Sequence, residues 1–378
     1  MNRESTSSGV VQVIAARQGD HEYPVRVGDG AAAPLGALAD EHDRIALVSC
    51  RRVLGTRHGK AIAARLEREA PLAVVHVLPD GEEGKTLAEL ERAAVRLMKC
   101  GATRRSLVVA LGGGAVTDAA GFLAATFMRG IPWVAVPTTL LAMVDAAIGG
   151  KTAVNLPEAK NAVGAFHPPE SVLADPAALE TLPPRELASG KGEVLKYGAL
   201  EPELLPLFAE ACAAKRLDAS VIATCARMKV DVVEADPTER GPRKLLNLGH
   251  TFGHGVEAAG RFSLYTHGEA VAVGLAFAFR LARKLGRVGD DPVRAVEAAL
   301  ERASLPIRVP GAIARRAAKL MAFDKKRTEA GLRWVLPRAE EGGRWAVEWD
   351  VAAGAAEVEA TLAEIATPPS GRRAARAR

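Results

Sequence analysis

The sequence predicts an α/β chain in two parts: a mostly parallel, Rossmann-like sheet with helices over residues 1–183, then a mainly α-helical part over 184–366. Three observations carry this expectation. Short β-branched runs alternate with helical stretches through the first half, the pattern of a parallel sheet covered on both faces. After Pro183 and Pro184 the chain turns to long stretches rich in Ala, Leu, Glu and Arg, with hardly any strand signal before 333–336 (RWVL). One strand candidate also runs directly into three glycines and a helix, the turn that α/β folds use at ligand sites.

In chain order, 10–16 and 23–27 read as an extra antiparallel edge hairpin. The buried strands are 44–50 (RIALVSC), 73–78 (AVVHVL), 106–112 (SLVVALG) and 133–138 (WVAVPT), with helical periodicity at 58–69 and 86–100. A Pro-marked turn rather than a long linker separates the two parts, which predicts a cleft between them. The last stretch, 367–378, ends in GRRAARAR after two prolines and a serine and reads as a disordered basic tail.

Composition narrows the function classes. A length of 378 residues suits two domains. With 48% hydrophobic and 25% charged residues the chain is an ordinary globular one. Its longest apolar run, 270–279, is about half the ~20 residues of a membrane span, and the polar start MNRESTSSG lacks a signal-peptide core. These features predict a cytoplasmic protein with no membrane partner. The net charge of +5 comes mostly from the tail, and 4% aromatic residues leave few platforms for bases, so no nucleic acid partner is expected. A basic site for an anionic small molecule accounts for the charge equally well. Cys50, Cys100, Cys212 and Cys225 form no metal-type spacing and read as reduced thiols.

Two turns suit a cofactor. The strand ending at Leu111 leads into Gly112, Gly113, Gly114, Ala115, Val116, Thr117 and Asp118, with a helix over 119–127. Glycines there let backbone approach a pyrophosphate at a helix N-terminus, although the pattern is not GxGxxG. A second turn, Asp80, Gly81, Glu82, Glu83, Gly84, Lys85, follows another strand. Glu82 suits a ribose and Lys85 a phosphate. Together they favour a dinucleotide.

The segment 242–255 (PRKLLNLGHTFGHG) is the most informative. Read as one helix starting at Pro242, it places Arg243, Asn247, His250 and His254 on one stripe, continued by Glu257, with leucines and Phe252 elsewhere. Such a helix is expected to be buried around something polar. His267 precedes a nearly all-apolar stretch, and Glu193 and Lys196 share a helical face in GEVLK. One carboxylate and two imidazoles with an open position suit a catalytic zinc or similar ion. Spacing alone leaves His254 competing with His250 and His267. Between the two parts, Asp145, a Gly149–Gly150–Lys151 turn, Lys160 and Asn161 suggest a phosphate or carboxylate site.

Taken together, these residues resemble the 3-dehydroquinate synthase family of sugar phosphate cyclases. The landmarks run from about Asp80 to Pro337: DGEEGK, GGGAVTD, FMRG, VPTTLLAMVD, IGGKTAVN, KNAVGAFHPP, ETLPPRELASGKGEVLKYG, LLNLGHTFGHGVE, HGEAVAVG and DKK. The resemblance implies an NAD-binding α/β domain and a helical metal-binding domain, usually as a homodimer. It implies Glu193, His250 and His267 as ligands of Zn2+ or Co2+. It places His254, Lys151, Asn161 and one of Lys325 or Lys326 near the substrate phosphate, with Arg129 reaching it from a neighbouring subunit. Lys229 and Arg243 would hold a carboxylate, and Asp145, Lys196 and Asn247 the ring hydroxyls and metal-bound centre. For NAD it implies Asp80, Gly81, Glu82, Glu83, Gly84, Lys85, Gly114, Ala115, Val116, Thr117, Asp118, Thr138, Thr139, Lys151, Lys160, Ala178, Leu179, Glu180 and Thr181. Two positions depart from the family pattern: Ser49–Cys50 stands where an acidic residue is frequent, and Lys191–Gly192 precedes Glu193.

The implied reaction converts 3-deoxy-D-arabino-heptulosonate 7-phosphate to 3-dehydroquinate and phosphate in the shikimate route to aromatic amino acids. It does so through transient oxidation by NAD, phosphate elimination, reduction and an intramolecular aldol closure. The competing readings are a sister cyclase making an aminodehydroquinate or valiolone-type product and, further off, a metal-dependent polyol dehydrogenase.

Overall fold

The computed structural model describes residues 2–6, 9–157, 159–214, 217–325 and 332–367. Its strands, in chain order, are β1 (Asn2–Thr6), β2 (Gly9–Gln18), β3 (His21–Val27), β4 (Ile45–Cys50), β5 (Leu72–Leu78), β6 (Leu107–Gly112), β7 (Trp133–Pro137), β8 (Lys151–Leu156), β9 (Ala159–Phe166) and β10 (Ser171–Ala174), followed by short C-terminal strands. The helices are α1 (Leu35–Asp40), α2 (Arg51–Gly55), α3 (Arg57–Glu69), α4 (Leu87–Lys99), α5 (Gly114–Thr126), α6 (Pro184–Leu200), α7 (Leu205–Ala213), α8 (Ala219–Ala235), α9 (His250–Ala259), α10 (His267–Lys284), α11 (Asp290–Arg302), α12 (Gly311–Lys325) and α13 (Ala355–Ile365).

Among the described residues the main sheet runs β1-β2-β3-β10-β7-β6-β4-β5. Every pair from β3 through to β5 is parallel, and β1-β2-β3 is antiparallel. The parallel Rossmann-like sheet and the helix-rich second half that the sequence predicts are both present. β4, β6 and β7 are buried at every position, because helices cover both faces and alternation disappears. Leu35, Leu47, Leu66, Val109, Val134 and Leu173 share one core cluster. Threonine caps start the flanking helices: Thr56 accepts from the Gly59 N–H and Thr86 from that of Glu89.

The chain falls into two compact units, Met1–Gly190 with Arg216–Arg243, and Lys191–Lys215 with Lys244–Arg378. The first holds the sheet, the β8–β9 hairpin and α8, which packs on β2. The second is built around α10, which is buried from Ala270 to Ala282. Phe277 of α10 stacks on Phe252 and Trp334 at centroid distances of 4.3 and 5.3 Å. The expected Gly149–Gly150–Lys151 turn leads directly into an antiparallel hairpin, β8 with β9. Gly149 and Gly150 have φ of 91° and 61°, a backbone that glycine adopts without cost. Of the expected basic tail, residues from 368 on lie outside the described residues, as does Lys326. No helix among the described residues is long and apolar enough to cross a membrane.

Candidate functional site

Glu193, His250 and His267 come together in the second unit, with one ligand atom from each lying within 4.8 Å of the others. Each is placed by a close helix approach. A Cβ on Gly192 would lie 2.5 Å from the Gly268 carbonyl oxygen, so the glycine before Glu193 lets α6 meet the start of α10. A capping box at Thr266 and Glu269 starts α10 at His267. The expected single helix over 242–255 is corrected here. Residues Pro242–Asn247 form a 3-10 turn, Gly249 takes φ +80°, and a new helix begins at His250. The left-handed residue breaks the stripe, and a Cβ on it would lie 2.9 Å from the Leu275 N. Arg243 therefore belongs to the first unit, and the two histidines to the second.

The trio's nitrogens are oriented. His250 Nδ1 lies 3.2 Å from the Leu248 carbonyl oxygen and donates to it, which turns Nε2 to Glu193 Oε1 at 3.5 Å. His267 lies between Glu193 Oε1, 3.2 Å from Nε2, and Glu257 Oε2, 3.3 Å from Nδ1. Burial pushes the His250 imidazole down to about 3 against the pull of Glu193, leaving a neutral ring with a lone pair to give. Burial pulls His267 down too, but hydrogen bonds to Glu193 and Glu257 outweigh it and carry the ring up to about 10. A divalent cation held between these groups would take the place of that proton. Lys196, 1% exposed, sets its Nζ 2.5 Å from Glu193 Oε2. His254 is exposed, with its ring 5.3 Å from that of His250 and 6.1 Å from that of His267. One carboxylate and two imidazoles, two of the three buried, fit a catalytic Zn2+ or Co2+.

In the first unit a second set gathers cations. Lys229 of α8 is buried and donates to Asp145 Oδ1 at 2.8 Å. Arg243 is 1% exposed; it donates to the Pro237 and Gly149 carbonyl oxygens at 2.7 and 3.1 Å. Its Nε is a buried donor without a partner, the kind of group a ligand satisfies. Burial presses its pKa down, opposed by Glu239, Asp145, Tyr23 and Asp236. Sequence reasoning missed the frame that holds this arginine. Asp236 accepts from the N–H groups of Arg240, Gly241 and Arg243. The Tyr23 hydroxyl accepts from the Gly149 N–H at 3.1 Å. Lys151 pairs with Glu239. The DPTERGP stretch of turn-forming residues was the available signal for the Asp236 loop. Arg129 stands exposed on the turn after α5, where Met128 and Arg129 take φ of 51° and 68°. Asn247 ends the 3-10 turn, and Lys325 ends α12.

The cofactor candidates also lie in the first unit. A Cβ on Gly112 would meet Val116 at 2.6 Å and one on Gly113 would meet Thr139 at 2.8 Å. All three glycines keep negative φ, so room rather than backbone freedom demands them: a cradle at the start of the 13-residue α5. Thr138 and Thr139 follow β7, and the Thr138 N–H donates to Gly112. Lys85 is buried and bridges Asp118 Oδ2 at 2.7 Å and Asn161 Oδ1 at 2.5 Å. Glu82 accepts from Asn155 Nδ2 at 2.7 Å, and Asn155 in turn accepts from the Asn161 N–H. Burial raises the Asp118 carboxyl against the pull of Lys85. Gly81–Gly84 forms a 3-10 turn, as does Pro176–Thr181, which carries Ala178, Leu179, Glu180 and Thr181. Ala115 follows Gly114 into α5, and Lys160 is exposed on β9. Ser49 is buried and donates to the Leu111 carbonyl, so its hydroxyl is engaged in the sheet. Asp80, whose Oδ1 accepts from the Arg52 N–H at 3.3 Å, brings a carboxylate to the end of β4.

A family model described as 3-dehydroquinate synthase N-terminal matches residues 75–189, and one described as 3-dehydroquinate synthase C-terminal matches residues 190–327. The 3-dehydroquinate synthase of Geobacter metallireducens is 41% identical over 339 residues, spanning 86% of this chain and 93% of the relative. Among solved structures, 2-deoxy-scyllo-inosose synthase complexed with carbaglucose-6-phosphate, NAD+ and Co2+ is 26% identical. It has a TM-score of 0.79 and covers 93% of this chain and 100% of that one. The 2-epi-5-epi-valiolone synthase of Streptomyces hygroscopicus with NAD+ and Zn2+ is 27% identical, with a TM-score of 0.80, covering 93% and 98%.

Proposed function

The chain belongs to the 3-dehydroquinate synthase family, and we propose that the side chains described above carry that family's reaction. The enzyme is a carbon–oxygen lyase acting on a phosphate, converting 3-deoxy-D-arabino-heptulosonate 7-phosphate to 3-dehydroquinate and phosphate with NAD and a divalent metal. Bound NAD supplies a reversible hydride acceptor, and the ion a Lewis acid for the substrate's hydroxyls.

The assignment of residues follows from their chemistry. Glu193, His250 and His267 hold the ion; what supports this most is that their ligand atoms converge within 4.8 Å. Lys196 fixes the far oxygen of Glu193 and offers its ammonium to a substrate hydroxyl, alongside Asn247 and Asp145. Arg243, with its unpartnered Nε, and Lys229 take the substrate carboxylate. Lys151, Asn161, His254, Lys325 and Arg129 take the phosphate and hold it where it can accept a proton from the neighbouring carbon as it leaves. The glycine cradle at 112–114, the turn 80–85, Asp118, Thr138, Thr139, Lys151, Lys160 and 178–181 hold the dinucleotide. In this reading residues 1–183 are the cofactor domain and 184–366 the metal and substrate domain. The protein works as a homodimer, supported by the apolar face of α4, and in the cytoplasm, supported by four free cysteines.

The test supplies the heptulosonate phosphate with catalytic NAD+ and follows phosphate, product and NADH. Phosphate release that stops with a chelator and returns with Zn2+ or Co2+, without net NADH, is expected. Stoichiometric NADH identifies a dehydrogenase instead.

A further inference from the structure

The reading of Glu193, His250 and His267 as ligands, on which this inference rests, leaves Glu257 without a task. Glu257 lies on α9, about two turns after His250, and is 6% exposed. A carboxylate at that depth is costly unless hydrogen bonds hold it. Its Oε2 lies 3.3 Å from His267 Nδ1, while Nε2 of the same ring lies 3.2 Å from Glu193 Oε1. Both ring nitrogens face a carboxylate oxygen, and with Glu193 read as a ligand of the ion, Nδ1 is the donor to Glu257 and Nε2 is the nitrogen left for the cation. His250 has the same arrangement from backbone, with its Nδ1 on the Leu248 carbonyl. We propose that Glu257 is a positioning residue: it grips Nδ1 of His267 and thereby aims Nε2 at the ion shared with Glu193 and His250.

A rival arrangement makes Glu257 itself a ligand, because His254, Glu257 and His267 also offer atoms within 4.8 Å of one another. His254 is exposed, however, whereas the side chains of Glu193 and His250 are only 1% and 12% exposed. An ion on the rival set loses the desolvation that strengthens its bonds. Carboxylate–histidine–metal relays of the proposed kind are worth about 10- to 100-fold in metal affinity.

The experiment titrates metal-depleted protein with Co2+, reading visible absorption and competition with a chromophoric chelator. It compares wild type with Glu257→Gln and Glu257→Ala, and with Glu193→Gln and His250→Ala as controls. Glu257→Ala is expected to bind Co2+ about 10- to 100-fold more weakly with unchanged band positions. Glu257→Gln, whose amide oxygen still accepts, is expected to recover part of the loss. NAD+ affinity stays at the wild-type value in both, and any fall in metal-free melting temperature in Glu257→Ala is repaired in Glu257→Gln. Wild-type Co2+ affinity in Glu257→Ala overturns the proposal. So does a shifted spectrum reporting a lost ligand, or a fall in metal-free stability that Gln does not repair. Undiminished Co2+ binding in Glu193→Gln and His250→Ala instead overturns the ligand assignment itself.

Discussion

At the scale of single residues, the cations differ in what their removal costs. Lys151 is exposed and paired with Glu239, so Lys151→Ala is expected to leave the fold intact and to remove charge from the proposed phosphate position. Turnover is expected to fall by about 10²- to 10³-fold, as for loss of one preorganised donor, with an unchanged circular dichroism spectrum; wild-type kcat would refute the placement. Arg243→Ala is expected to lose turnover as well while still folding, and Arg243→Lys separates charge from the fork geometry that a carboxylate uses. Asp236 acts one step back, through the loop that carries Arg243. Burial works to raise its carboxyl, but the N–H groups of Gly241, Arg240, Arg243 and Glu239 outweigh this and hold it below the ordinary carboxylate range. A depressed carboxyl adds stability above its unfolded pKa and loses it as pH falls through the folded one. Asp236→Ala therefore costs about 1–3 kcal/mol near neutrality, and the gap from wild type narrows in denaturation curves taken below about pH 4. A gap that stays constant down to acid pH rules out the charged cap.

At the scale of elements, helix crossings set the metal candidate, and glycines set the crossings. A Cβ on Gly274 would sit 1.8 Å from the Gly249 carbonyl oxygen, and one on Gly192 would sit 2.5 Å from that of Gly268. Backbone cannot yield there as a side-chain tip does. Gly192→Ala is expected to push Glu193 away from His267, weakening Co2+ binding at least about tenfold and lowering the melting temperature. Unchanged affinity in Gly192→Ala shows that the crossing does not govern the trio. These contacts mark the limit of what the sequence reveals. The parallel strands are legible because β-branched residues crowd into six-residue runs such as IALVSC and LVVALG. A candidate metal site of one carboxylate and two imidazoles is legible as chemistry, but the choice among His250, His254 and His267 comes from the family resemblance, because spacing leaves it open. The stripe through Arg243, Asn247, His250 and His254 is not a helix face, because Gly249 reads as tolerable inside a helix until its tight packing on Leu275 is seen. Glu257 lies on that same stripe, yet nothing local tells that a histidine ten residues later turns back onto it.

At the scale of the whole molecule, the exposed face of α4 suits the homodimer proposed above. Leu87, Val95 and Met98 are 47%, 45% and 57% exposed, and Leu87, Leu90, Ala94, Met98, Phe127 and Met128 line a mainly apolar groove together with Glu91 and Thr126. An isologous contact would cover such apolar surface, and the turn at Met128 and Arg129 lifts Arg129 into solvent. A second copy seated here would receive that arginine. Met98→Glu, which places a charge in the groove, is expected to convert the protein to monomers in sedimentation experiments and to cut activity as far as Arg129→Ala does. Complementation makes the sharper test. Each of Arg129→Ala and Lys151→Ala is expected to be inactive alone. In mixed dimers, however, a subunit with intact Lys151 can borrow Arg129 from its neighbour. Random pairing then restores about a quarter of wild-type activity, since half of the dimers are mixed and each holds one complete site. If Arg129 serves only its own subunit, every site in the mixture lacks one cation, and co-expression restores nothing.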